Sequence, residues 1–313
     1  MSGRSLIIVR SGAKSLHPAW IEGVDERGWD LFVCPYEEVP FASEPRRGVI
    51  VGEPLAGQKW TGLRERLRRW EGWRDYDHVM FAEDDLLAGP SVWSTFFDFC
   101  RERRAVLAQP ALTEDSHFSH LITLANRHFT WRATTFVEVM APTVTPDALR
   151  ELLPTLDHTP TGLGWGMEAA WSKLLGYEGI YIADAVKIRH TRQVGVNRDA
   201  AMRRQVREEE AGFLRHFGAA HVRMTLGGED RAHGRITRDD AIFPQRLLLG
   251  YGYLDAQRAP AFNRFLDDNF VSGPRRLAMM TGRGVAPLPA RPVRAQGRAD
   301  AAPERVRTAA ARP

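Results

Sequence analysis

The run Tyr76-Asp77-His78-Val79-Met80-Phe81-Ala82-Glu83-Asp84-Asp85-Leu86 passes directly from a short apolar strand, His78 to Ala82, into three successive carboxylates. Their mutual repulsion and loss of hydration need an offsetting positive charge. A divalent cation supplies one; a solvent-exposed acidic loop capping a helix near Pro90 is the plainer alternative. Side chains alternate along an extended chain, so Glu83 and Asp85 are expected on one side and Asp84 on the other. Hard oxygen donors of this kind suit Mg²⁺ or Mn²⁺ holding a diphosphate.

Working outward, strand and helix patterns alternate. Strands are expected at Ser5 to Arg10, Asp30 to Cys34, Gly48 to Val51, Ala105 to Gln109, Phe136 to Ala141, Ile180 to Ala183 and Val186 to His190. Helical spacing joins Trp60, Leu63, Leu67 and Trp70, and then Val92, Phe96, Phe97 and Cys100 behind Pro90. Shorter helices are expected at His17 to Val24 and Pro146 to Leu153, one from the Gly164 region to about Leu175, and a charged one over Asp199 to Phe217. The 222–269 segment reads as mixed helix and loop. This order predicts an α/β fold, a mostly parallel, Rossmann-like central sheet flanked by helices with a helical C-terminal extension. Ligands of such sheets collect at strand carboxyl ends, where the acidic triplet falls.

The 313 residues, 43% hydrophobic and 26% charged, suit one large or two ordinary globular domains and exclude fibrous or wholly disordered chains. The net charge of +4 invites a polyanion partner, but nine arginines lie from residue 273 onward against only Asp300 and Glu304. The preceding 272 residues are mildly acidic. Three regions follow: an α/β core over 1–195, a helical extension over 196–272, and an unstructured Arg/Ala/Pro-rich tail over 273–313. Two cysteines, Cys34 and Cys100, read as buried thiols. No stretch approaches a transmembrane helix or an apolar signal region, so a cytoplasmic location is expected.

Two further constellations belong with the triplet. In Gly164-Trp165-Gly166-Met167-Glu168, glycines let the backbone pass close to a ligand and Glu168 arrives at a helix start. Glu168 reads either as a general base or as an acid favoured by the helix dipole, and Trp165 either as a ligand contact or as core. His190 ends a strand and could join carboxylates around Mn²⁺, while Arg192 could pair with a phosphate. Glu138 breaks an apolar run and suits acceptor binding or an outward-facing position. His117 and His120 could line an acceptor pocket.

At these places the sequence resembles nucleotide-sugar-dependent glycosyltransferases of the GT-A fold, with a DxD-like triplet, a Gly-Trp-Gly-x-acid stretch and a late histidine. More closely, Tyr76 to Leu86, Gln109-Pro110-Ala111-Leu112, Phe136 to Pro142, Gly164-Trp165-Gly166 and His190 resemble, in order and spacing, the plant and bacterial domain-of-unknown-function family 707. Glutamate stands at 83 and at 168 where aspartate is common. The resemblance implies metal ligation by Asp85 and His190, with Glu83 and Asp84 on the ribose or metal-bound waters. It places Arg10 and Ser11 at the nucleotide and Lys59 at the diphosphate or in support of its helix. Glu168 would deprotonate the acceptor hydroxyl, giving inversion.

The function so implied is metal-dependent transfer of a sugar from a nucleoside-diphosphate sugar to a hydroxyl acceptor. The alternatives are a nucleotidyl- or phosphotransferase using the same acidic site, and nucleic-acid binding through the basic tail alone.

Overall fold

Every residue of β1 (Ser5–Ser11) is buried in the computed structural model, which describes residues 3–23, 26–38, 47–193 and 199–282. Ile7 and Val9 join one hydrophobic core and Leu6 and Ile8 another, as alternation requires of a strand covered on both faces. β1 pairs in parallel with β2 (Trp29–Pro35) and with β4 (His78–Ala82), and β3 (Val49–Val51) continues in parallel beyond β2.

The remaining strands are β5 (Leu86–Leu87), β6 (Leu107–Leu112), β7 (Phe129–Thr134), β8 (Thr143–Val144), β9 (Ile180–His190), β10 (Thr225–Asp230) and β11 (Gly234–Thr237). The sheet order is β11-β10-β7-β9-β6-β8-β4-β1-β2-β3, with β5 on β9. Short β8 is antiparallel to both β4 and β6, so those two share a direction, and β9 runs parallel to β6. The carboxyl ends of β1, β4 and β9 therefore lie along one edge. β7, β10 and β11 extend the sheet in antiparallel fashion.

The helices are α1 (Lys59–Arg69), α2 (Pro90–Arg103), α3 (Pro146–Leu152), α4 (Met167–Leu174), α5 (Ala200–His216), α6 (Phe243–Leu249), α7 (Ala259–Leu266) and α8 (Ser272–Thr281). Trp93, Phe96, Phe97 and Cys100 of α2 cover one face of the sheet. Trp60, Leu63 and Leu67 of α1, Met167, Ala170 and Trp171 of α4 and Phe213 of α5 cover the other. α1 is rich in arginine and has no side-chain N-cap. Its buried stripe, at roughly 2 kcal/mol per large apolar side chain, is what holds it on the sheet.

The expected α/β architecture with a largely parallel core is present, and several expected elements differ. The apolar residues of 136–141 are buried, Val139 only in part, but form no strand; β7 lies just before them. Residues 135–142 instead cross the sheet edge, where the Met140 and Pro142 carbonyls accept hydrogen bonds from the Glu83 and Phe81 amides. The two pieces expected at 180–183 and 186–190 are one strand, irregular opposite Pro110, which has no N–H for the ladder. The helix expected at His17 to Val24 is a single 3₁₀ turn, His17–Trp20.

The 222–269 segment, read as helix and loop, contributes β10 and β11 to the main sheet, so the sheet is not confined to residues 1–195. The stretch expected to be unstructured from 273 begins inside α8, where Leu277 packs against Tyr177, Val222 and Met224. The rest of that tail, 283–313, lies outside the described residues, as does Val194-Gly195. Both cysteines are buried and free. Among the described residues no helix is long and apolar enough to cross a membrane.

Candidate functional site

Directly after the acidic triplet the chain turns into β5, which pairs antiparallel with the end of β9 so that Leu86 faces His190. The Asp85 carbonyl accepts from the Thr191 amide at 3.1 Å and from its hydroxyl at 2.8 Å. This register sets Asp85 Oδ2 3.1 Å and Glu83 Oε2 3.6 Å from His190 Nε2. One ligand atom from each of the three lies within 4.8 Å of the others. Asp84 points the other way. It accepts from Arg192 Nη1 at 2.9 Å, the Gly12 amide at 3.3 Å and the Tyr36 hydroxyl at 3.4 Å. The expected division of the triplet is thus present, although Asp84 and Asp85 lie in the turn between β4 and β5 and not in extended chain.

His190 Nδ1 donates to the His117 carbonyl at 2.8 Å, which turns Nε2 toward the carboxylates. Burial opposes protonation of the ring, but the Asp85 hydrogen bond and charge, with help from Glu83, raise it to about 9. The countercharge is Lys59, whose Nζ donates to the carbonyls of Phe81, Val139 and Met140 at 2.9, 2.6 and 3.0 Å and sits 3.8 Å from Glu83 Oε1. Burial lowers Lys59 to about 8 against the pull of these acids. Burial also pushes Glu83 and Asp84 upward.

Asp85 Oδ1 is buried with no hydrogen-bond partner among the described residues. That orphaned oxygen, a second carboxylate and an imidazole held by its far nitrogen make a donor set that fits a divalent cation.

Glu168 reaches the same region from the other side. Gly164 and Gly166 have φ of 78° and 87°, in the left-handed region that favours glycine, and they deliver Glu168 into the first turn of α4. Glu168 is 4% exposed, and its Oε2 has no partner among the described residues. Burial raises it above the usual carboxylate range. Glu168, Trp165, Leu163, Glu138, Ser119, His120 and Glu83 line one cleft. Glu83 therefore faces both the His190 cluster and the cleft that ends at Glu168. Glu138 enters from the 135–142 crossing, its amide donating to Gln109 Oε1 at 2.6 Å. Burial first, then the charges of Glu83 and Glu168, push its carboxyl up to about 7.

The other expected site residues are placed differently. The Arg10 guanidinium is turned onto the carbonyls of Cys34, Pro35, Leu55 and Gly57, so it holds the 55–57 loop against the end of β2. Ser11 is fully buried at the end of β1, its hydroxyl without a partner among the described residues. Arg192 is paired with Asp84 and with the Lys14 carbonyl. His117 contributes its carbonyl and leaves its side chain exposed, whereas His120 lines the cleft.

Sequence reasoning missed Tyr36, Ser119 and Glu209. Glu209 accepts from the Thr159 and Thr161 hydroxyls at 2.8 and 2.9 Å and from the Thr161 amide at 2.7 Å, fastening the loop that carries Trp165. One glutamate among the charges of α5 gives no signal of that contact.

No protein-family model matches the chain, and no curated protein does. Among solved structures, the chain is similar to S. aureus TarS 1–349, at 11% identity and a TM-score of 0.42 over 89% of this chain and 83% of that one. The same TarS fragment in complex with UDP-GlcNAc gives 12% identity and a TM-score of 0.43 over the same shares. GalNAc-T7 with UDP, GalNAc and Mn²⁺ gives 10% identity and a TM-score of 0.44 over 68% of this chain and 50% of that one.

Proposed function

We propose that the chain is a GT-A-type glycosyltransferase that moves a sugar from a nucleoside-diphosphate sugar to a hydroxyl acceptor. One observation carries this reading: a single cleft joins Glu83, a member of the Glu83–Asp85–His190 cluster, to the buried carboxylate of Glu168. A donor held at the cluster and an acceptor held at Glu168 would meet within it. The motifs resembling family 707 fall on these same residues.

Asp85 and His190, with Glu83 beside them, would hold Mn²⁺ or Mg²⁺. When bound, the cation supplies positive charge against the departing diphosphate. Asp84, with Tyr36 and the Gly12 amide bonded to it, faces the other side of the triplet, where the nucleoside would sit, next to the end of β1 that carries Ser11. Glu168 accepts the proton of the acceptor hydroxyl as its oxygen bonds to the anomeric carbon and the bond from that carbon to the diphosphate oxygen breaks. A base on the acceptor side, opposite the leaving group, gives inversion. Burial raises the basicity of Glu168 toward what proton abstraction near neutral pH requires.

The test is a panel of nucleotide sugars with Mn²⁺, read by product analysis. Release of nucleoside diphosphate with an inverted glycoside is expected; release of pyrophosphate would indicate nucleotidyl transfer instead. Asp85→Ala should lose metal and donor binding. Glu168→Gln should keep donor binding and lose transfer by about 100-fold or more, the scale of one general base. A Glu168→Gln variant with undiminished transfer would sink the assignment.

A further inference from the structure

Glu138 takes no part in the chemistry just described, yet it is 7% exposed and its Oε2 has no hydrogen-bond partner among the described residues. Glu168 Oε2 is in the same condition, and both side chains line the same cleft. Burying an unpaired carboxylate oxygen is costly, and burying two that face one cavity is costlier still. The chain offers little in compensation. Glu138 has the Ser119 hydroxyl, Lys59 is committed to three backbone carbonyls, and the other basic groups that act on the two acids, His190, His221 and Arg223, are paired with Asp85, Glu210 and Asp268. Val139, Met140, Leu163 and Trp165 supply apolar wall between the polar groups.

We propose that Glu138 is an acceptor-positioning residue and that the cleft takes a polyhydroxylated acceptor, neutral or cationic, with no anionic group inside the cleft. In this arrangement Glu168 receives the reacting hydroxyl and Glu138 accepts a hydrogen bond from a second donor on the same molecule. That donor is a hydroxyl or an ammonium, and a carboxylate or phosphate at that place would meet two acids, while the basic groups nearest them among the described residues are already engaged by other acids or by backbone carbonyls. The inference rests on the transferase reading and adds the acceptor's chemical class to it.

The test uses the full chain with Mn²⁺ and whichever of UDP and GDP the wild type binds. Three probes, methyl glucoside, methyl 2-amino-2-deoxyglucoside and methyl glucuronide, are followed by saturation-transfer NMR. The first two should bind and the glucuronide should bind at least about tenfold more weakly. Glu138→Ala should weaken the first two about tenfold, the loss of roughly one charge-assisted hydrogen bond, with nucleotide binding unchanged. Glu138→Gln, close in size, covers the case in which the alanine variant does not fold. It should abolish any preference for the amino sugar over the hydroxyl sugar, which a purely structural role would leave alone. Equal binding of the glucuronide, no effect of either variant, or no binding of any probe would overturn the inference. Failure of the wild type to bind either nucleotide would instead overturn the transferase reading.

Discussion

His190 Nε2 lies 3.1 Å from Asp85 Oδ2, and the opposite ring nitrogen is already tied to the His117 carbonyl. The ring is held near pH 9 by that carboxylate, so in the metal-free chain at neutral pH a proton occupies the nitrogen a cation would need. Metal binding must release it. Mn²⁺ affinity should therefore rise about tenfold per pH unit between roughly 6.5 and 9 and level off above. Calorimetry in buffers of different ionisation enthalpy should register close to one proton released. The same raised value stabilises the metal-free fold fully below the ring's unfolded value, and that contribution is lost as pH climbs through about 9. Saturating Mn²⁺ should restore the melting temperature at the alkaline end. An affinity flat across this window would contradict the ligand assignment.

Gly164 and Gly166 look alike in sequence and share a left-handed backbone, but their surroundings differ. A Cβ on Gly164 would stand 2.4 Å from Trp60 Nε1, whereas one on Gly166 would meet nothing closer than 3.6 Å. Trp60 is fully buried and edge-packed on Phe81 and Trp171, so it has no room to yield. Gly166→Ala should cost about 1–2 kcal/mol from backbone strain alone. Gly164→Ala should cost that plus about 1–3 kcal/mol of overpacking. Urea titration of the two variants measures the difference. Equal losses would show that the loop adjusts without disturbing Trp60.

The carboxylates of this site were legible where local rules decide the outcome. Glu83 and Asp85 share a side and Asp84 takes the other, as alternation predicts, although Asp84 and Asp85 form the turn between β4 and β5 and that turn, not an extended strand, sets their directions. His190 was found because it ends an apolar strand. Arg10, near the end of β1, is expected at the nucleotide, but two carbonyls at the end of β2 and two of the 55–57 loop hold its guanidinium, a contact that depends on how the 55–57 segment folds back. The 136–141 run was read as a strand because burial makes the same apolar pattern whether a segment pairs in a ladder or crosses a sheet edge. That crossing is what brings Glu138 into the cleft, and no spacing rule contains it. β10 and β11 were missed for a related reason: Gly227, Gly228 and Gly234 dilute their strand pattern, and their pairing with β7 is long-range.

Glu209 offers a test of how firmly the Glu168 side of the cleft is held. Its two carboxylate oxygens take three hydrogen bonds from Thr159 and Thr161, and Thr159 Oγ1 in turn accepts from the Gly164 amide at 3.3 Å. The Gly162 carbonyl is fixed separately by the Trp60 amide at 3.0 Å. Removing Glu209 thus frees the outer half of the loop while leaving its base on α1. Glu209→Ala should raise amide exchange through residues 159–166 and cost about 1.5–3 kcal/mol, the worth of hydrogen bonds to a charged group. Transfer should slow with nucleotide and metal binding unchanged, because the Glu83–Asp85–His190 cluster is built from the β4–β5 connection and the end of β9 and does not lean on this loop. Glu209→Gln keeps one acceptor oxygen for the two hydroxyls and should recover part of both losses. Unaltered exchange at 159–166 in the alanine variant, or a loss of metal binding as large as the loss of turnover, would show that α5 does not position the loop.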